Sequence, residues 1–446
     1  MLWARKLIYR LYRVVTSVHH HGRRRLTRAG LAVLGGFLVS MMLGMDISGS
    51  LAYQAFMLLF TLLAVSVVGV GFFRARFHAE RRLPRFGTVG QPVFYRVAVR
   101  NDSPSVQAGL LLLENLADPR PGLEEFVALQ LAEEKRMRSF SVVRKRMRWN
   151  FELARVKEAP IPTLQPGETA DVSLELTPVK RGHVRFLGVT VARPDPFGLV
   201  KSFARLSLPH TLLVLPKRYP LPPIALPGTM KYQQGGVAMA SSVGESEEFV
   251  SLREYRPGDP LRHIHWRTWA RVGKPVVKEF QDEFFVRHAL ILDTFVDHPS
   301  SDAFEEAVSV AASFACTIQT QESLLDLLFV GPEAYCFTSG RGLAHTEQML
   351  EILAAVRVCR ARGFDALEQL VLKHAGLVSG CICVFLAWDD RRQQLVQKLK
   401  ILGLPLLVLV VADPGSPQLD PGPLRDQPEC FRVLECGKVA EGLAQL

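Results

Sequence analysis

A chain of 446 residues is long enough for two or three domains, and its slightly positive mean hydropathy suits a mostly soluble protein carrying some lipid-buried sequence. The formal charge of +11 lies entirely in residues 1–85, where thirteen Lys/Arg face two acids, Asp46 and Glu80, while the remainder holds 41 bases and 41 acids. A nucleic-acid binder would carry its excess on a folded domain, so this distribution argues against a nucleic-acid partner and for anionic lipid headgroups beside apolar sequence.

Residues 1–28 read as a basic N-terminus with Arg5, Lys6, Arg10, Arg13, Arg23, Arg24, Arg25 and Arg28. Residues 29–45 form an uncharged apolar run, Asp46, Ser48, Gly49 and Ser50 a polar turn, and residues 51–73 a second uncharged run. At about 1.5 Å per residue the second run crosses a hydrocarbon core of about 30 Å, and the first sits near the lower limit of about 17 residues. Further bases follow at Arg74, Arg76, Arg81, Arg82 and Arg85, and none lies between the runs. The pattern predicts a transmembrane α-hairpin over 29–73 and a basic juxtamembrane linker over 74–88, with both flanks in the cytoplasm. A cleaved signal peptide fits less well, because 28 residues precede the first run and a second follows at once.

From 89 to 215 the texture becomes period-two, as in Val93-Phe-Tyr-Arg-Val-Ala-Val-Arg100, Asp171 to Thr177 and His183 to Val191, with turn residues between. Short strands at this spacing predict an antiparallel β-sandwich. Within it, residues 137–156 interleave Arg138, Arg144, Lys145, Arg146 and Arg148 with Phe140, Met147 and Trp149, a basic hairpin with a solvated face or one that touches lipid headgroups or RNA. Residues 216–285 read as a linker.

Residues 286–446 alternate apolar strands with helical stretches, which predicts a doubly wound α/β domain with a parallel sheet. The strand from His288 ends at Asp293, and the strand from Cys381 ends near Asp389. Both acids would stand at the carboxyl edge where such sheets bind ligands. They can hold a hard cation such as Mg²⁺ or cap the helices that follow. The seven cysteines all fall in the C-terminal third, mostly in apolar runs, which suits a reducing compartment. His263 and His265 have no companion ligands at zinc spacing.

The linker holds the most distinctive run, Glu248-Phe-Val-Ser-Leu-Arg-Glu-Tyr-Arg-Pro-Gly-Asp259-Pro-Leu-Arg-His-Ile-His-Trp-Arg267, continuing to Phe280. Pro257 and Gly258 set a turn, and the arginine forks can pair with neighbouring acids or with a partner's carboxylate or phosphate. Arg253, Glu254, Tyr255, Arg256, Pro257, Gly258, Asp259, Arg262, His265, Trp266 and Arg267 are therefore the candidate interaction surface. Alternatively they form an interdomain clasp with Tyr255 and Trp266 as buried packing anchors.

This run resembles the signature of the bacterial domain-of-unknown-function family 58, and Lys180-Arg-Gly-His-Val-Arg-Phe with Asp195-Pro-Phe-Gly-Leu199 is similar to that family's pattern for the end of its β-rich part. The resemblance implies a paired transmembrane segment in the bacterial cytoplasmic (inner) membrane, a β-rich middle and a C-terminal von Willebrand factor A-like domain. It also implies partnership with a MoxR-type AAA+ ATPase, and for some members with a transglutaminase-like membrane protein. A-like domains often bind a divalent cation through Asp-x-Ser-x-Ser. Here the positions read Asp293-Thr294-Phe295-Val296-Asp297, with Asp389 at the distant acid, so Asp293, Asp297 and Asp389 make a degenerate metal site.

The expected function is a multi-pass membrane-anchored adaptor without catalysis of its own, both termini and the soluble domains being cytoplasmic. The competing expectation is a divalent-metal-dependent hydrolase built on the strand-end acids. No P-loop and no Gly-x-Ser-x-Gly elbow occurs in the sequence.

Overall fold

The computed structural model describes residues 2–43, 51–71, 73, 75–124, 126–128, 130–131, 152–222, 249–259, 261–280, 287–296, 301–318, 324–339, 343–416 and 419–446. The chain is mixed α/β with several sheets and divides into two units, Met1–Leu215 and Pro216–Leu446. The basic hairpin read at 137–156 lies mostly outside the described residues.

The first unit opens with three helices, α1 (Leu2–Arg25), α2 (Arg28–Leu43) and α3 (Leu51–Val70). Among the described residues only α3 is long and apolar enough to cross a membrane, at 20 residues or about 30 Å. The run expected to be the first span forms a helix of 16 residues, about 24 Å long. The two lie side by side, with Phe37 stacked on Phe56 at 5.1 Å between centroids. Leu58, Val67 and Val68 of α3 stay exposed.

Two sheets follow. One has the order β1-β3-β7-β5, from β1 (Phe77–Arg82), β3 (Val93–Asn101), β5 (Ala154–Val156) and β7 (Thr169–Pro178), all antiparallel. The other has the order β2-β9-β8-β4-β6, from β2 (Phe86–Thr88), β4 (Leu110–Leu116), β6 (Ala159–Ile161), β8 (Gly182–Pro194) and β9 (Lys201–Leu215), with β2 and β9 parallel and the other pairs antiparallel. Their inner faces share one core, because alternate residues point the same way: Tyr95, Val97 and Val99 meet Val172 and Leu174 from the first sheet and Leu112, Phe186 and Val191 from the second.

The stretch read as a juxtamembrane linker is instead β1 and β2. Its residues alternate buried and exposed, and Arg81 is 4% exposed. Its guanidinium donates to both carboxylate oxygens of buried Glu114 (3.1 and 2.6 Å) and lies 4.6 Å from the Phe186 ring. A base counted as a headgroup contact is thus a core ion pair.

The second unit begins with a segment expected to be linker. Tyr219 is buried, its amide donates to Ser313 (2.8 Å), and its hydroxyl bonds Glu306. β10 (Phe249–Glu254) and β11 (Val276–Phe280) then form a separate antiparallel pair around the short helix α4 (Trp266–Val272). A six-stranded sheet follows in the order β14-β13-β12-β15-β16-β17. Its strands are β12 (Arg287–Leu292), β13 (Leu324–Val330), β14 (Ala334–Ser339), β15 (Gly380–Phe385), β16 (Leu406–Ala412) and β17 (Phe431–Glu435), all parallel except the edge strand β14.

The strands are apolar on both faces because helices cover both. Ala289, Ile291, Cys383 and Val408 pack with Leu367 and Val371 of α7 (Asp365–His374) and Leu395 and Leu399 of α8 (Asp390–Ile401). Their neighbours Leu290, Leu292 and Val384 point the other way. They are buried too, as are Phe304, Val308 and Ala311 of α5 (Asp302–Ile318), which packs on β12, β13, β15 and β16. The helices α6 (Leu343–Ala355) and α9 (Val439–Leu443) complete the unit. All seven cysteines are free thiols, and Cys381 and Cys383 are buried in the sheet.

Candidate functional site

β12 pairs with β13 on one side and β15 on the other, so the chain leaves β12 and β15 toward opposite halves of the sheet. This is the switch point where open α/β sheets form a crevice. Asp293 follows β12 directly and is 0% exposed. Its carboxylate accepts from the Phe295 amide (2.9 Å), the Leu386 amide (3.1 Å) and the Nε (2.7 Å) and Nη2 (2.6 Å) of Arg392. Burial holds the Asp293 carboxyl above its ordinary value, and Arg392 with the two amides offsets only part of that rise.

Asp389 stands at the N-cap of α8, where it accepts from the Arg392 amide at 3.0 Å. Its other oxygen takes the Arg392 Nη1 at 2.6 Å. One guanidinium thus bridges both acids and lies 4.8 Å from the Phe364 ring. Phe295, at the place of the first motif serine, packs into the core under the sheet and meets Phe364 edge-on at 5.8 Å. Asp297 lies outside the described residues.

These donors do not fit a divalent cation. Both oxygens of Asp293 are already engaged, the bridging charge is an arginine, and a phenyl ring stands where a hydroxyl would coordinate. Among the described residues no group of three His, Cys, Asp or Glu side chains clusters at metal-binding distance. Arg392 was not among the residues singled out from sequence. Its spacing, three residues after Asp389 at a helix start, was the available signal.

The β10–β11 segment holds the other candidates. Arg253 grips Asp259 with two bonds of 2.7 and 2.8 Å, and the Arg256 amide adds a third at 2.8 Å. The Arg253 bonds first, then the amide, hold the Asp259 carboxyl down at about 2. Gly258 takes φ +107°, a conformation L side chains rarely adopt, which fixes glycine in this turn. The Tyr255 amide donates to Pro275 (2.9 Å) and the His265 amide to Val276 (2.8 Å), tying the turn and α4 to β11. The His265 ring nitrogen lies 2.6 Å from the Thr268 hydroxyl in the first turn of α4.

Trp266 corrects the expectation of a buried anchor. It is 64% exposed and stacks on Trp269 at 5.2 Å, with Leu261 and Val272 also exposed. Its ring lies over its own helix, so the segment closes on its backbone ladder and its Arg253–Asp259 fork. Tyr255 is half-buried. Arg256, Pro257, Arg262 and Arg267 are exposed, and the Glu254 carboxylate meets Lys274 at the surface (3.3 Å).

The Asp195-Pro-Phe-Gly-Leu199 turn has a different role. Burial opposes charge on Asp195, but bonds from the Val200, Leu199 and Phe197 amides bring its carboxyl below the usual range. On this turn rests the start of α2. The Thr27 amide donates to the Leu199 carbonyl at 3.0 Å, and a Cβ on Gly30 would lie 2.1 Å from that same oxygen. The turn is therefore the joint between the apolar helices and the β-rich part. Gly30 and Thr27 were missed because nothing in their local sequence marks a contact about 170 residues away.

Residues 251–419 match the family described as "Protein of unknown function DUF58". That DUF58 match covers less than half of the chain. The matched stretch starts within β10 and ends beyond β16, so it takes in the Arg253–Asp259 fork, α4 and the Arg392 bridge. Among curated proteins this chain is similar to "Uncharacterized protein YeaD" of Bacillus subtilis (strain 168), 33% identical over 187 residues. The match takes in 41% of this chain and 45% of the relative, so it spans less than half of that protein's length. Among solved structures, the CARDB domain of the PF1109 protein from Pyrococcus furiosus, in complex with di-metal ions, overlaps at 13% identity, covering 32% of this chain and 91% of that one with a TM-score of 0.17. The GH20 exo-β-N-acetylglucosaminidase from Vibrio harveyi, in complex with N-acetylglucosamine, overlaps at 8% identity, covering 77% and 57% with a TM-score of 0.13. Overlaps of that quality carry neither a fold nor an activity for this chain.

Proposed function

We propose that this protein is a membrane-anchored adaptor whose signature segment docks a partner protein, a MoxR-type AAA+ ATPase by family resemblance. The observation that carries the reading is the exposed Trp266–Trp269 stack. It lies beside uncovered Leu261 and Val272 and among the exposed bases Arg262, Arg267 and Arg271. An aromatic anchor ringed by arginines is the composition of a protein-binding hot spot. A strand pair held by its own ladder and fork can present that surface rigidly.

The anchor in this proposal is α3, with α2 packed along it and both flanks cytoplasmic in a bacterial inner membrane. Arg23, Arg24, Arg25 and Arg28 before α2, and Arg74 and Arg76 after α3, support that orientation. The parallel sheet with its acid-bearing switch point supports a von Willebrand factor A-like reading, with Arg392 in place of the cation. The closed Asp293 carboxylate weighs against the metal-dependent hydrolase. Clients, including a transglutaminase-like membrane protein, belong to the same proposal.

The test is capture of the full-length protein from gently solubilised native membranes, with and without a non-hydrolysable ATP analogue, followed by mass spectrometry. An AAA+ ATPase recovered with the wild type and lost with Trp266→Ala supports the reading. Its absence in both nucleotide states removes it.

A further inference from the structure

The first helix was read from sequence only as a basic tail, yet its apolar residues are ordered. Trp3, Leu7, Ile8, Leu11, Val14 and Val15 recur at helical spacing, and at 100° per residue they fall within a stripe about 140° wide. All six are between 48% and 78% exposed. A soluble unit would normally bury such a stripe, and here the opposite face of the helix is the one that packs.

That opposite face is fixed by five contacts. The Tyr9 hydroxyl donates to the Pro121 carbonyl at 3.2 Å. The Tyr9 and Tyr12 rings lie 5.3 and 5.2 Å from the Phe126 ring. Arg120 donates to the Thr16 hydroxyl at 2.9 Å, and Arg13 stands 3.6 Å from Asp118. The helix cannot roll its stripe onto the β-rich part without breaking all of these. Two observations indicate what covers it. Seven Lys/Arg and no acid occur in α1. The helix also ends at Arg25, and Thr27 and Gly30 then seat the start of α2 on the 195–199 turn, so the stripe is held within one short connection of the apolar helices.

We infer that α1 is an interfacial helix that lays Trp3, Leu7, Leu11 and Val14 into an anionic lipid surface while Tyr9, Tyr12 and Thr16 grip the β-rich part. The inference rests on the proposed anchoring by α2 and α3. It adds a second attachment that sets the soluble unit at a fixed height over the bilayer. An amphipathic helix of this kind sits about 5–10 Å into the headgroup boundary, and basic residues beside the stripe strengthen its hold on anionic lipid.

The test uses the full-length chain reconstituted into vesicles of phosphatidylcholine with about 30% phosphatidylglycerol, an anionic content high enough to engage a basic helix. The signal of Trp3 is the difference in fluorescence between wild type and Trp3→Phe. Bromine is placed either shallow or deep in the acyl chains. Shallow bromine is expected to quench the Trp3 signal about twofold and deep bromine much less, as befits a helix lying in the interface. Removing the phosphatidylglycerol, or making the triple variant Arg5→Glu, Lys6→Glu, Arg10→Glu, is expected to weaken the shallow quenching. A Leu58→Trp probe, made in the Trp3→Phe background, reports the anchor independently and should be quenched by deep bromine. If that probe is quenched while the Trp3 signal responds to neither bromine, or if Trp3 quenching ignores lipid charge and the triple variant alike, the inference is overturned and the anchor stands. If the Leu58→Trp probe is not quenched, the anchor reading itself falls and the inference falls with it.

Discussion

Replacing Arg392 by alanine removes the only cation bonded to Asp293 among the described residues. Asp293 is 0% exposed, so the loss leaves a buried carboxylate held by two backbone amides alone. Breaking one side of a buried pair costs about 3–5 kcal/mol, and the lost stacking over Phe364 adds about 1 kcal/mol. The assay is hydrogen exchange on the detergent-solubilised full chain, read at the Phe295 and Leu386 amides and along β12 and β15. Protection there should fall by about 10²–10⁴-fold, the same penalty expressed as an opening equilibrium.

The variant also has a stronger pH signature than the wild type. Burial already holds the Asp293 carboxyl above its ordinary value, and losing Arg392 removes the largest opposing influence, so its folded-state pKa rises further and the folded variant holds its proton more tightly. The defect should therefore be smallest in acid and grow as pH rises above the ordinary carboxylate range. Asp293 and Asp389 freed of the guanidinium offer oxygens to a hard cation, so millimolar Mg²⁺ should raise the variant's melting temperature and leave the wild type's unchanged. Less than about 1 kcal/mol of local destabilisation, the range of a surface pair, would refute the reasoning. So would stabilisation of the wild type by Mg²⁺.

Glu114→Gln strands the Arg81 charge in the core of the first unit and should lower that unit's stability by about 3–5 kcal/mol, seen as a lower urea midpoint. Gly30→Ala puts a methyl group on the Leu199 carbonyl and should cost about 1–3 kcal/mol, with faster exchange at the Thr27 amide marking the opened joint. The Asp259 carboxyl should titrate with a midpoint near 2 by carbon NMR, and Arg253→Ala should move the midpoint toward 3.8. Because that pKa is depressed by folding, the fork's contribution is full above pH 3.8 and disappears as pH falls through about 2.

Much of the strand pattern was legible because burial writes a period into the chain. Val93 to Arg100 alternates and forms β3, and the unbroken apolar runs at 288–292, 381–387 and 405–412 become β12, β15 and β16 of a parallel sheet. Long-range pairing was not legible. Arg81 and Glu114 are 33 residues apart and Arg392 and Asp293 are 99 apart, and no local window joins them. Charge also misled the reading of residues 1–28 and 74–88. Counting bases hid the helical stripe of α1 and the two-residue alternation of β1, both of which survive charged residues on the solvent side. At the candidate sites the Arg253–Asp259 fork follows from the short spacing of opposite charges around Pro257-Gly258. The exposure of Trp266 does not follow, because an aromatic in a conspicuous motif reads equally well as core.

The adaptor claim is tested most directly by measuring binding of purified full-length protein to a purified MoxR-type ATPase from the same cell, with Trp266→Ala beside the wild type. The account predicts saturable binding that the substitution weakens by about thirtyfold, the loss expected of an aromatic hot spot worth about 2 kcal/mol. Equal affinity for both chains, or no binding by the wild type, would contradict it.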